Sequence, residues 1–262
     1  MNMKDVKEIT IPQGSVKKIE DSNGNIIWGS QSAFPYRRLE YIHLNGSECI
    51  IENFNLSTKD RKIVLDYTAD NWINTVTLLG QYDNNSVADN TKRLYIVRQA
   101  TTNGNQLTHC IGNTWIGATN VSVNTRYLST IAFTNASTNT LQVNIKNVDT
   151  GQTLTNTSGR GTGTSIQNFG AIGTLGACVN KMTNNTYTRN GFWTGKLYKF
   201  EKYVNSTDVL QNNQFPAQRK SDGVCGLYDT VSQTFFPMTG SIVTSGAAGP
   251  VADEYWDLTA PA

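Results

Sequence analysis

Hydrolysis of a glycosidic bond from a β-strand takes two carboxylates, an acid and a nucleophile, on one strand face, so Glu and Asp should recur at i, i+2 and i+4. The 20 acidic residues form no such run. Asp66 stands alone in RKIVLDYT, Glu201 is flanked by lysines, and Glu48 and Glu52 have no carboxylate between them. Asp253, Glu254 and Asp257 gather near the C-terminus, where a solvated tail is expected. His43 and His109 are isolated and no G-x-S-x-G occurs, so each histidine is expected to be a satisfied polar side chain rather than a base. The GRGTG run at 159–163 is glycine-rich but lacks the strand-to-helix context of a phosphate loop, and a flexible loop is expected there. Cys49, Cys110, Cys178 and Cys225 are dispersed without a C-x-x-C pair, which points to buried thiols. Asp83, Asn84, Asn85 and Asp89 offer oxygen ligands from one loop, but no metal and no cofactor are expected. Neither is catalysis.

Binding chemistry is better supplied. Sugars are held by an aromatic side chain against the C–H face of the ring and by amide and carboxylate groups that fix the hydroxyls. Trp72, Trp115 and Tyr187 lie in ADNWINT, GNTWIGA and NNTYTRN, where those groups are adjacent; Asn113 belongs to the second. Packing of Trp115 and Tyr187 over a sheet edge is the competing expectation. Trp28 and Trp193 read as structural, and Tyr255 and Trp256 could hook onto a neighbouring subunit.

The elements that would carry these side chains are strands. Leu141, Val143 and Ile145 alternate with Gln142, Asn144 and Lys146, and Ile63, Leu65 and Tyr67 with Asp66 and Thr68. Arg93 to Val97, Tyr127 to Phe133, Phe169 to Leu175, Leu197 to Tyr203, Val224 to Tyr228 and Thr234 to Met238 continue the series between Asn, Gly and Thr clusters. Ser221-Asp222-Gly223 is a tight turn. A short helix is expected over Thr207 to Asn213, and a long loop over Thr150 to Thr164. Near the N-terminus Val16 to Ile19 and Ile26 to Trp28 flank Asn23-Gly24, a hairpin signal. Ile9, Ile11, Val16, Ile19, Ile26, Ile27 and Trp28 are more apolar surface than a hairpin can shield, so this piece is expected to dock on something.

With 262 residues and 28.9 kDa, the chain suits one sizeable domain plus a small appendage. Its formal charge of +2 gives no reason to expect nucleic acid, and Arg37-Arg38, Lys59 to Lys62 and Arg219-Lys220 read as solvated strand edges. No apolar run approaches the ~18 residues of a membrane span, and the charged Met1 to Glu8 does not lead into a signal-peptide core.

The ordered segments YRRLEYIHLNGSECIIENFNLS, RKIVLDYT, LLGQY, Asn124-Thr125-Arg126-Tyr127, GKLYKFEKY and the ending RKSDGVCGLYDTVSQTFFPMTGSIVTSGAAG resemble the concanavalin A-like jelly-roll modules of gut bacteriophage virion proteins, related to laminin-G-like lectins and glucanases. The N-terminal piece resembles the leader of head-fibre and tail-fibre proteins of crAss-like phages. The resemblance implies an all-β, two-sheet antiparallel sandwich over residues 34–250, a β-hairpin virion-attachment leader over 1–33 and a tail over 251–262. It further implies a structural protein on the virion surface, made in the host bacterial cytoplasm. Such a protein would be anchored on other virion proteins through its leader, assembled as a homotrimer, and turned towards bacterial-surface or mucus glycans. A bacterial surface or secreted carbohydrate-binding module is the alternative.

Overall fold

The computed structural model describes residues 19–20, 26–28, 35–52, 62–71, 76–83, 93–101, 104–111, 114–119, 121–135, 140–160, 173–181, 187–204, 209–240 and 248–253. Every regular element among them is a strand. In chain order these are β1 (Ile19–Glu20), β2 (Ile26–Trp28), β3 (Tyr36–Leu39), β4 (Ile42–Asn45), β5 (Glu48–Glu52), β6 (Lys62–Tyr67) and β7 (Val76–Asp83). Then come β8 (Arg93–Thr101), β9 (Gly104–Ile111), β10 (Thr114–Thr119), β11 (Tyr127–Asn135), β12 (Thr140–Asn147), β13 (Thr153–Arg160) and β14 (Gly173–Leu175). The last are β15 (Cys178–Lys181), β16 (Tyr187–Asn190), β17 (Thr194–Val204), β18 (Val209–Arg219), β19 (Cys225–Asp229), β20 (Thr234–Gly240) and β21 (Val251–Asp253).

The chain divides into two units, residues 1–36 and 37–262. In the first, β1 and β2 pair antiparallel, with Ile19 opposite Trp28 and Glu20 opposite Ile26. This pairing is what the expected hairpin requires; its Asn23-Gly24 turn lies outside the described residues. Ile9, Ile11 and Val16 lie outside the described residues.

The second unit is a two-sheet antiparallel sandwich of the jelly-roll kind. Sheet one places β13, β12, β11, β6 and β17 side by side. Along the far side of β17, β4 pairs with Thr194–Leu197 and β18 with the C-terminal half; β19 and the start of β20 follow. Sheet two runs β10, β9, β8, β7, β14, β5 and the end of β20, with β15 and β16 attached at the end of β7. One strand thus belongs to both sheets: Thr234–Pro237 pairs with β19, and Met238–Gly240 with β5. Pro237 sits at that junction, where a residue without an N–H ends one ladder at little cost.

Between the sheets lies the core. Alternate residues of each strand turn inward, Ile63, Leu65 and Tyr67 from β6, Ile42 and Leu44 from β4, and Val143 and Ile145 from β12, against Ile50, Leu79, Leu107 and Leu175 of sheet two. Each such side chain stabilises the fold by about 1.5–3 kcal/mol relative to exposure. Trp193 is fully buried, as expected of a structural residue.

Two expectations are corrected here. Of the helix expected over Thr207 to Asn213, residues 209–213 form instead the start of β18, paired with β17, and 207–208 lie outside the described residues. A run rich in Asn is a poor helix former, and the ladder with β17 outweighs so weak a local preference. The loop expected over Thr150 to Thr164 holds β13, paired with β12 from Thr140↔Arg160 to Lys146↔Thr153. Thr153, Thr155 and Thr157 are β-branched, and a strand at the edge of a sheet needs no apolar stripe to be recognisable by its partner. Gly159 and Arg160 of the GRGTG run therefore belong to a strand, while 161–164 lie outside the described residues.

Candidate functional site

The outward side of sheet one is built around an irregularity in β17. Leu197 and Phe200 both point into the core, which in a regular strand would place only one residue of a pair between them outside. The register slips between Leu197, opposite Tyr67, and Lys199, opposite Asp66, leaving Tyr198 as the extra residue of a bulge. Tyr198 and Lys199 therefore both stand on the outer face.

Around them, side chains from five other strands or their ends converge. Tyr41, at the entry to β4, meets Tyr198 edge-on with ring centroids 5.6 Å apart. Arg126, just before β11, lays its guanidinium over Tyr198 at 4.0 Å from the ring centroid. The same guanidinium is held bidentately by Asp66 of β6, Nε to Oδ1 at 2.7 Å and Nη2 to Oδ2 at 2.6 Å. Lys196 places Nζ 4.4 Å from the Tyr41 ring. Lys199 reaches Glu201 at 2.6 Å and lies 5.3 Å from the Phe215 ring of β18, over which Arg38 of β3 also stands at 4.5 Å. Arg38 is thus stacked on a ring, not a freely solvated edge residue.

Electrostatics follow from these contacts. The hydrogen bonds to Asp66 raise the Arg126 pKa, with partial burial working against them, so the guanidinium is locked in its charged form. Burial raises the Tyr198 pKa and the Arg126 charge opposes it; the phenol stays neutral and available as a donor.

Next to this face His43 bonds Asp70, Nε2 to Oδ2 at 2.5 Å, so it is not the isolated histidine expected from its sequence neighbours. Twenty-seven residues separate the pair, and it forms because β4 and the end of β6 flank β17. Among the described residues no Ser or Cys side chain is hydrogen-bonded to His43, and Thr194, from β17, donates its hydroxyl to Asn71 at 3.0 Å. The pair joins a base to an orienting carboxylate. Asp66 and Glu201 are taken up by Arg126 and Lys199.

His109 corrects the other histidine expectation. It is fully buried in β9, and neither ring nitrogen has a hydrogen-bond partner of good geometry. Burial drives its pKa down to about 3, opposed weakly by the nearby Ile116 backbone. Cys49 and Cys225 are buried, as expected. Among the described residues no three His, Cys, Asp or Glu side chains are grouped to hold a metal ion; Asn84, Asn85 and Asp89 lie outside them.

Of the aromatic residues expected to bind, Trp115 lies on β10 opposite Cys110 and Tyr187 on β16 opposite Lys181, both in sheet two on either side of β7–β9. Their side chains, like Trp72, Asn113, Tyr255 and Trp256 altogether, fall outside the described residues. The sheet-one cluster was signalled in the sequence by Leu197-Tyr198-Lys199-Phe200, where two polar residues interrupt the alternation, and by the repeated placing of Arg or Lys beside Tyr.

The fold is that of an all-β, two-sheet antiparallel sandwich of the jelly-roll kind. No protein-family model matches the chain, and no curated protein does. Among solved structures it is similar to a heptameric SAP-like pentraxin from Limulus polyphemus, with 11% identity over 73% of this chain and 94% of that one and a TM-score of 0.48. It is also similar to the enzymatically active domain of tailspike protein 2 of bacteriophage CBA120, with 10% identity, 66% of this chain, 29% of that chain and a TM-score of 0.47. For the CBM40 of a Ruminococcus gnavus IT-sialidase the values are 12%, 64%, 93% and 0.41. At these values the similarity says nothing of ligand or activity.

Proposed function

We propose that this protein is a non-catalytic glycan-binding β-sandwich module whose ligand lies on the outer face of sheet one. The observation that carries this is the Tyr41–Tyr198 pair at the β17 bulge, ringed by fixed hydrogen-bonding groups. Apolar ring edges beside a few positioned polar groups are the composition of a sugar site, and bulges recur where a sheet re-aims side chains toward a ligand. Asp66, Glu201 and Asp70, on and beside this face, are each bound to a basic side chain, which supports binding without bond cleavage.

The sequence resemblance to phage virion modules supports a setting for this binding: a head or tail-associated fibre on the particle surface, held by the N-terminal hairpin on another virion protein and trimeric. Three linked leaders would raise the effective concentration for the second and third contacts to about the millimolar range. The test is a glycan panel screened twice with the intact protein, once for binding and once for released reducing ends. Binding without release supports the reading. Turnover that disappears on replacing one Asp or Glu would refute it.

A further inference from the structure

On the outer face of sheet one, two basic side chains are held by aromatic rings and, among the described residues, by no carboxylate. Asp66 is taken by Arg126, Glu201 by Lys199, and Asp70 by His43. Lys196 and Arg38 remain. Among the described residues neither is ion-paired with a carboxylate, and each rests instead on a ring, Lys196 on Tyr41 and Arg38 on Phe215. A ring quadrupole orients a cation without cancelling its charge, so both groups stay available to an anion. A sugar approaching Tyr41 or Phe215 on the covered side meets the cation before the ring.

We propose that the glycan bound here is carboxylated, and that Lys196 and Arg38 pair with its carboxylates, Arg38 through its planar fork and Lys196 as a compact charge. The proposal rests on the glycan-binding reading of this face and adds to it the charge of the ligand. Two ring-backed cations beside ion-paired ones suit a ligand with a few discrete charges. They suit poorly a nucleic acid, which in duplex form carries a charge every ~1.7 Å.

The experiment is calorimetric titration of the intact protein with alginate and hyaluronan oligosaccharides, with the same oligosaccharides after reduction of their carboxyls to alcohols, and with dextran, dextran sulfate and single-stranded DNA. Binding to at least one carboxylated glycan is expected, with its reduced form and dextran about tenfold weaker or more. Lys196→Gln and Arg38→Gln should each weaken it about tenfold, Lys196→Arg should recover most of the loss, and Lys220→Gln, in the turn after β18, should change nothing. Added salt should weaken it further. Equal affinity for the reduced glycan that is lost in Tyr198→Ala would overturn the charge assignment and leave the glycan-binding face standing. A preference for dextran sulfate or DNA would overturn the assignment as well. Binding to no glycan would overturn both.

Discussion

The Trp193 indole Nε1 donates to the Thr68 carbonyl oxygen at 3.0 Å, tying the start of β17 to the end of β6 under the candidate binding face. Gly195 passes the same carbonyl with φ +150, and a Cβ there would overlap the Thr68 oxygen and approach Trp193 Nε1 to 2.7 Å. Backbone strain and the displaced hydrogen bond act together. Gly195→Ala should destabilise the domain by about 3 kcal/mol, read as a lower urea midpoint with unchanged slope.

Asp229 predicts a loss of similar size at the other end of the module. Its buried carboxylate accepts from Asn212 Nδ2 at 2.6 Å, the Asn213 N–H at 2.9 Å, the Val231 N–H at 3.1 Å and the Ser232 hydroxyl at 2.7 Å. It joins β18 to the β19–β20 turn. Asp229→Ala leaves these donors without an acceptor and should cost roughly 3 kcal/mol, measured by chemical or thermal unfolding.

His109 makes stability depend on pH with a defined sign. Its folded pKa lies below the ordinary 6.5, so the unfolded chain takes up a proton at acid pH that the folded protein refuses. Above pH 6.5 the residue contributes no pH dependence. Stability is lost as pH falls from 6.5 toward about 3, by about 1.4 kcal/mol per pH unit. In His109→Leu this component is absent, so between pH 7 and pH 5 the wild type should lose about 2 kcal/mol more than the variant. Equal losses in urea titrations at the two pH values would contradict the assignment.

Gly249 links the C-terminal segment to the site. Its N–H donates to the Tyr41 carbonyl at 3.1 Å, and a Cβ would stand 2.8 and 2.9 Å from two Tyr41 ring carbons. Gly249→Ala should push the Tyr41 ring away from Tyr198 and weaken glycan binding about three- to tenfold, with a smaller effect on thermal stability than Gly195→Ala. Calorimetry and melting curves on both variants check this.

The jelly roll was legible in the sequence because its inner strands alternate: Ile63, Leu65 and Tyr67 in β6, and Val143 and Ile145 in β12, declare their inward face locally. β13 and β18 were not, since Thr and Asn runs acquire strand character only from the partners beside them. The same limit applies to the candidate site. Tyr41 and Tyr198 are 157 positions apart, and the Arg126–Asp66 pair 60. Residue type and local context pointed to Trp72, Trp115 and Tyr187, whereas the cluster exists because β4, β17, β6 and β11 are neighbours and because one bulge turns two successive side chains outward.

Calorimetric comparison of wild type, Tyr198→Ala, Trp115→Ala and Tyr187→Ala, on one glycan that the wild type binds, tests the location of the site most directly. With the ligand on the outer face of sheet one, Tyr198→Ala weakens binding by about tenfold or more, while Trp115→Ala and Tyr187→Ala stay within about twofold. Full affinity in Tyr198→Ala, with binding lost in Trp115→Ala or Tyr187→Ala, would contradict the account and move the site to sheet two.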